Sequence, residues 1–176
     1  MKRRILHYIY TYFLWTVLLL STSCACETEE SPYELNETDR TFITYLYSYN
    51  EYKIQATTLA TQNGKTATQT VAAEILGDLE QTRTQLQTIA TNTRYTLPVA
   101  IPADAASDLS TLQNATIASF DITFTQDQLT TINADIAMLE NELSHGTEPS
   151  VMALAHDYLP KLRQHKVQLT ELLGKL

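Results

Sequence analysis

Four long segments of the chain carry apolar residues at intervals of three and four, the spacing that places one apolar stripe along an α-helix. The pattern predicts a first long helix over about residues 39–64, with Thr38 as its N-cap, and a second over about 66–92. A third is predicted over about 117–144, and a fourth opens near Pro149. The predicted inward stripes contain, in chain order, Phe42, Tyr45, Leu46, Tyr49, Ala56, Leu59, Ala60; Val71, Ala72, Ile75, Leu79, Leu86, Ile89, Ala90; Ile117, Phe120, Phe124, Leu129, Ile132, Ile136, Leu139, Leu143; and Val151, Leu154, Tyr158, Leu162, Leu169, Leu172, Leu173.

The links between these helices differ in length, and the difference selects a topology. The first and last links are short, whereas residues 95–116, which contain Pro98 and Pro102 and a short predicted helix over 105–114, form a long one. A stretch of this length can run along a whole helix, which makes the second and third helices parallel. The sequence therefore predicts an all-α, ferritin-like four-helix bundle with a long crossover between the second and third helices. A simple up-down four-helix bundle is the alternative.

The N-terminal segment has the pattern of a lipoprotein signal peptide. Lys2, Arg3 and Arg4 precede an apolar run over residues 5–20, and small polar residues then lead to Cys24. The run has 16 residues, short of the roughly 20 that a helix needs to cross a bilayer. We expect cleavage before Cys24 and lipidation of that residue with a diacylglycerol and an amide-linked chain such as palmitate; an uncleaved N-terminal anchor is the alternative.

The predicted organisation is a signal peptide over 1–23, a flexible acidic tether over 24–37 and a four-helix bundle domain over 38–176. The mature chain keeps nine basic and twenty acidic residues, a net charge of −11. Such a surface repels nucleic acid and anionic lipid alike, so the acyl chains must supply the membrane affinity. We expect a protein of the cell envelope, anchored to the outer membrane through Cys24 and facing either the periplasm or the cell surface.

A short motif points to a family. The run Leu-Pro-Lys-Leu-Arg-Gln-His at 159–165, together with Phe120-Asp121 and Leu59-Ala60, resembles the domain-of-unknown-function family 4142 over about residues 39–173. The resemblance implies an exported, ferritin-like protein of the kind often labelled a putative outer membrane protein, without a settled biochemical role.

The departures from the family pattern bear on metal chemistry. Where the family often has a glutamate, an Asp-His pair and a histidine on its first three helices, this chain has Lys53, Asp78-Leu79 and Ile132. The family's histidine on the fourth helix is matched by His165. Leucine and isoleucine offer no lone pairs, and an ammonium group repels a divalent cation. We therefore predict no metal, no cofactor and no enzymatic activity.

Lys53, Leu79, Ile132 and His165 all fall on the predicted inward stripes, one on each long helix, and together we call them the inner seam. Two of them, Lys53 and His165, are polar. We expect His165 to be a core histidine that bonds a tyrosine hydroxyl or a carbonyl freed by Pro160. We expect Lys53 either to snorkel towards solvent or to pair with a carboxylate, for which Glu51 and Asp121 are the candidates, with no preference between them.

These observations favour a non-catalytic envelope lipoprotein. Its bundle would be a scaffold or interaction module, with the tyrosines of the first helix and the acidic tether facing an envelope protein. The alternatives are a ferritin-like metal-binding protein and a small-ligand binder with a cavity beside Pro160.

Overall fold

The computed structural model describes residues 34–176, so the predicted signal peptide, Cys24 and most of the tether lie outside the described residues. Within this range there are helices and no strands, and the all-α prediction is confirmed. None of these helices combines the length and apolar content of a membrane span. The helices are α1 (Glu37–Asn63), α2 (Thr66–Asn92), α3 (Ala103–Gln113), α4 (Phe120–His145) and α5 (Pro149–Leu173).

The N-cap of α1 is Asn36, and the predicted cap at Thr38 is wrong. The Asn36 Oδ1 atom accepts from the Asp39 amide at 2.8 Å, and the Asp39 Oδ2 atom accepts from the Asn36 amide at 2.7 Å. This reciprocal pair is a capping box, which satisfies two backbone N–H groups at once and leaves Thr38 in the first turn. At the other end α1 stops at Gly64, as predicted.

The third long helix begins at Phe120, three residues later than predicted. Thr116 and Ser119 bond to each other through their hydroxyls at 2.9 Å, and the Ser119 hydroxyl accepts from the Thr116 amide. Such local side-chain bonds compete with helix formation. Ile117 therefore lies in a turn with 90% of its surface exposed, and its predicted place in the core is wrong.

Contacts between the long helices fix their directions. Lys65, just after α1, bonds Asp121 at the start of α4, and Asp39 at the start of α1 bonds Thr147, just after α4, so these two helices are antiparallel. The helix pairs α1–α2, α4–α5 and α2–α5 are also in contact. Because α1 is antiparallel to its hairpin partner α2 as well, α2 and α4 run in the same direction. Residues 93–119 connect them, and α3 in this connection packs on α1 and α4.

The core lies between these helices and is filled mainly by aliphatic and aromatic side chains. Helix α5 runs through Pro160, which is exposed. The proline leaves the carbonyl of His156 without its helical donor, and His156 is on the exposed side, where water can replace that donor. The largest buried side chains include Phe42, Tyr52, Leu79, Leu86, Leu112, Phe124, Leu139 and Leu169.

Candidate functional site

The four inner positions identified in the sequence meet at one point. Lys53 of α1, Leu79 of α2, Ile132 of α4 and His165 of α5 all line a single internal cavity of about 10 Å³. The prediction that these positions face inward is confirmed. A space of this size admits about one water molecule at most.

Lys53 forms a buried ion pair with Asp135 of α4. The two side chains are 7% and 2% exposed, and the Tyr45 hydroxyl also donates to Asp135 at 3.2 Å. Burial lowers the pKa of Lys53 to about 7, and the nearby carboxylate of Asp127 opposes that shift. The direct contact with Asp135 also favours the ammonium form. The pair thus joins α1 to α4 through opposite charges that neutralise each other.

The two partners predicted for Lys53 are wrong, because each has another cation nearby. Asp121 accepts from the Lys65 amide at 3.0 Å and lies 3.7 Å from its ammonium group. Glu51 lies 3.9 Å from Arg83 of α2. Asp121 is on the buried face of α4 but 14 residues before Asp135, about four helical turns away. Glu51 is on α1 itself and only partly buried.

His165 is a buried core histidine, as predicted, but its partner is a carboxylate. Its Nε2 atom lies 2.9 Å from Asp78 Oδ2, and Lys161 Nζ donates to Asp78 Oδ1 at 2.6 Å. Burial lowers the pKa of His165 and outweighs the opposing effect of Asp78. The imidazole is therefore neutral near pH 7 and donates its Nε2 proton to Asp78, which joins α5 to α2.

These contacts engage Lys53, Asp135 and His165, the ionisable side chains that line the cavity. Asp135 is neutralised by Lys53, and Asp78 is shared by Lys161 and His165. Across residues 34–176, no three His, Cys, Asp or Glu side chains are grouped so that they could hold a metal ion. What the arrangement can do chemically is fasten the helices together: one ionic contact links α1 to α4, and another links α2 to α5.

Asp135 and Gln128 are seam residues that the sequence analysis missed, and both line the cavity. A signal was present, since Gln128 lies four residues before Ile132, and Asp135 lies three after Ile132 and four before Leu139. A search for apolar residues alone passes over polar residues at the same spacing.

The tyrosines of α1 are largely engaged within the molecule. Tyr45 and Tyr49 have ring centroids 4.6 Å apart, and the Tyr49 hydroxyl donates to Asp104 of α3 at 2.7 Å. That hydrogen bond and burial raise the pKa of Tyr49 to about 12. Tyr52 is fully buried. These side chains attach α3 and α4 to α1.

Comparisons with known proteins place the chain in a family. The model of the family described as Domain of unknown function (DUF4142) matches residues 24–172. Among solved structures, the crystal structure of a DUF305 fragment from Deinococcus radiodurans is similar, with a TM-score of 0.73 and 12% identity over 82% of this chain and 100% of that one. At this identity the likeness shows a shared helical fold. No curated protein matches. With most of its length matched by the family model, the chain belongs to the DUF4142 family.

Proposed function

We propose that this protein is a non-catalytic lipoprotein of the cell envelope, attached to the outer membrane through lipid on Cys24. Its body acts as a scaffold or interaction module. The observation that carries the proposal is the ion pairing at the inner seam, where Lys53 pairs with Asp135 and Lys161 pairs with Asp78.

The seam argues against metal binding through the chemistry of its donors. A ferritin-like di-metal site draws carboxylates and imidazoles from facing helices. Here a cation would have to displace the Lys53 ammonium from Asp135 inside a cavity of about 10 Å³. Leu79 and Ile132 would offer it no ligand. The same small volume disfavours a small-molecule site in this cavity, whose lining includes Tyr158 and Leu162 of α5 but not the exposed Pro160.

We propose further that the four long helices form a ferritin-like bundle. Every neighbouring pair for which the contacts give a direction is antiparallel, and α2 and α4 run the same way. The connection over 93–119 has to cover the length of a 27-residue helix, roughly 40 Å. A simple up-down bundle would make α2 and α4 antiparallel and would need no such connection.

Anchoring through Cys24 is supported by the sequence and by the extent of the family match. The matched region begins at residue 24, directly after the proposed signal peptide. The net charge of −11 after cleavage makes attraction to anionic lipid unfavourable, so acyl chains are the physical means left to hold the body at a membrane.

The decisive experiment compares Cys24→Ala with Cys26→Ala in the full-length protein expressed in its native host. Metabolic labelling with an alkyne-tagged palmitate and membrane fractionation report the anchor, and protease added to intact cells reports the side that the body faces. We expect Cys24→Ala to lose the label and leave the membrane fraction, and Cys26→Ala to keep both. Membrane retention of Cys24→Ala would refute lipid anchoring at this residue.

The absence of metal chemistry has its own test. Elemental analysis of the purified protein should find iron, zinc and manganese well below one atom per chain. A variant carrying Lys53→Glu, Leu79→His and Ile132→His restores the residue types that the family resemblance puts at these positions, and it serves as the control for metal uptake. Stoichiometric metal in the unaltered protein would overturn the proposal.

A further inference from the structure

Two carboxyl groups lie buried together at the end of the molecule where the described chain begins. Asp39 is in the first turn of α1, and Glu142 is in the last turn of α4. Both are completely shielded from solvent. Two buried carboxyl groups in contact cannot both be charged without a large electrostatic cost.

Asp39 collects most of the hydrogen bonds at this end. It accepts from the Thr147 amide at 3.0 Å, the Thr147 hydroxyl at 3.0 Å, the Glu148 amide at 3.2 Å and the Asn36 amide at 2.7 Å. Asn36 also donates its side-chain amide to the His145 carbonyl at 2.9 Å. Burial alone would raise the pKa of Asp39, but these donors outweigh it and lower the pKa. Asp39 is therefore the charged member of the pair and ties the start of α1 to the α4–α5 turn.

Glu142 has no such donors. Within the described part of the chain, no amide, hydroxyl or cationic group donates to either of its oxygens. Its carboxyl faces Asp39, and a hydrogen bond between the two requires a proton on one of them. Burial, and then the hydrogen bond and charge of Asp39, raise the pKa of Glu142 to about 8. The side chain packs under Gly146, where an added Cβ atom would overlap its Oε1 atom.

We propose that Asn36, Asp39, Glu142, Thr147 and Glu148 form a proton-dependent clasp, in which protonated Glu142 donates to Asp39 and holds the α4–α5 turn against the start of α1. Loss of the proton places two negative charges side by side away from water. The clasp then loosens, and the end of the molecule from which the tether leaves becomes mobile. The clasp is independent of the lipid anchor and of the proposed function.

The other charged groups at this end do not replace the proton. Among residues 34–176 they are Glu34, Glu37 and Arg40 at the start of α1, His145 at the end of α4 and Glu148 beside the start of α5, besides Asp39 itself. Arg40 and His145 are exposed and bond backbone carbonyls. Glu148 is buried and acidic, and its carboxylate accepts from the Ser150 hydroxyl at 2.9 Å, so it offers Glu142 no positive charge.

The direction of the pH effect follows from proton linkage. Folded Glu142 keeps its proton to a higher pH than the unfolded chain does, so its contribution to stability is complete below the ordinary glutamate pKa of 4.5 and is lost as the pH rises towards about 8. Glu142→Gln keeps a donor to Asp39 at every pH and should abolish this loss.

The test measures denaturant unfolding of the full-length protein in mild detergent between pH 5 and 9. Relative to Glu142→Gln, we expect the folding equilibrium constant of the unaltered protein to fall about tenfold per pH unit between roughly pH 5 and 8. Glu171→Gln, an exposed change on α5, should follow the unaltered protein. Equal pH slopes for the unaltered protein and Glu142→Gln would overturn the proposal.

A second measurement tests whether Glu142 holds the proton of the clasp, and it needs no variant, so it applies even if Glu142→Gln folds poorly. The carboxyl carbon of Glu142 can be followed by NMR in the unaltered protein, with hydrogen exchange of the Thr147 and Glu148 amides over the same pH range. We expect the Glu142 carboxyl to titrate above pH 7. As it loses its proton, both amides should exchange faster than the intrinsic effect of pH on amide exchange explains. Titration below pH 5, or unchanged amide protection, would refute the clasp.

Discussion

Replacing Lys53 with methionine removes the positive charge of the inner seam and leaves Asp135 buried without its counterion. The side chain of Asp135 is 2% exposed, so bulk water cannot solvate the carboxylate in place of the ammonium group. The Tyr45 hydroxyl, 3.2 Å away, remains as a neutral donor. Methionine has a similar length and flexibility, so the change in packing is small and the electrostatic loss dominates.

Breaking a buried ion pair by removing one partner costs about 3–5 kcal/mol, because an uncompensated charge stays behind. The low exposure of both partners places Lys53→Met in this range rather than in that of surface pairs. Adding Asp135→Asn removes the remaining charge but leaves a buried amide. We therefore expect the double variant to regain about 1–3 kcal/mol of the loss.

The assay is guanidinium unfolding of the full-length variants in detergent, read by circular dichroism. Arg163→Met is the matched control, since Arg163 pairs with Glu140 at 2.9 Å but the side chains are 60% and 52% exposed. It should cost less than about 1 kcal/mol. A Lys53→Met variant as stable as this control would mean that Asp135 does not depend on Lys53. The seam would then be open to another cation, and the case against metal binding would fail.

Four further variants test local features by the same unfolding measurement. Gly77→Ala should stabilise the protein by about 0.5–1 kcal/mol, because Gly77 is exposed inside α2 and an added Cβ meets nothing within 4 Å; a loss of stability would contradict this. Asn36→Ala removes the capping oxygen and should cost about 1–2 kcal/mol. Thr38→Ala should cost less, and the reverse order would restore Thr38 as the cap. Gly146→Ala should lower the free energy of unfolding by about 1–3 kcal/mol, since the new Cβ would overlap the Glu142 side chain and lie 2.7 Å from the Glu142 carbonyl oxygen. Unchanged stability would show that the backbone of this turn can shift to accommodate the Cβ.

The helix bounds were largely predictable, and the exceptions have local causes. The bounds of α2 agree with the prediction, and Gly64 and Gly146 end their helices, because apolar periodicity and glycine are local signals. The errors at Thr38 and Ile117 arose where side chains bond nearby backbone groups. Several residues there could act as caps or turn formers, and the pattern does not rank them.

For the candidate site, the inward positions could be predicted from the sequence, but their partners could not. Periodicity placed Lys53 and His165 on inward faces, and the structure confirms both. Their partners, Asp135 and Asp78, lie 82 and 87 residues away in the chain. Spacing within a helix shows which way a residue faces, but not which residue of a neighbouring helix stands opposite.

The amino-acid order by itself determined the all-α class, the lengths of the long helices and the inward direction of the four seam positions, since these depend on contacts within one or two helical turns. Only the tertiary structure decided how the buried charges pair and that Asp39 and Glu142 share one end of the molecule. Those pairings depend on the relative register of packed helices, which is set by the shape of the whole core rather than by any single segment.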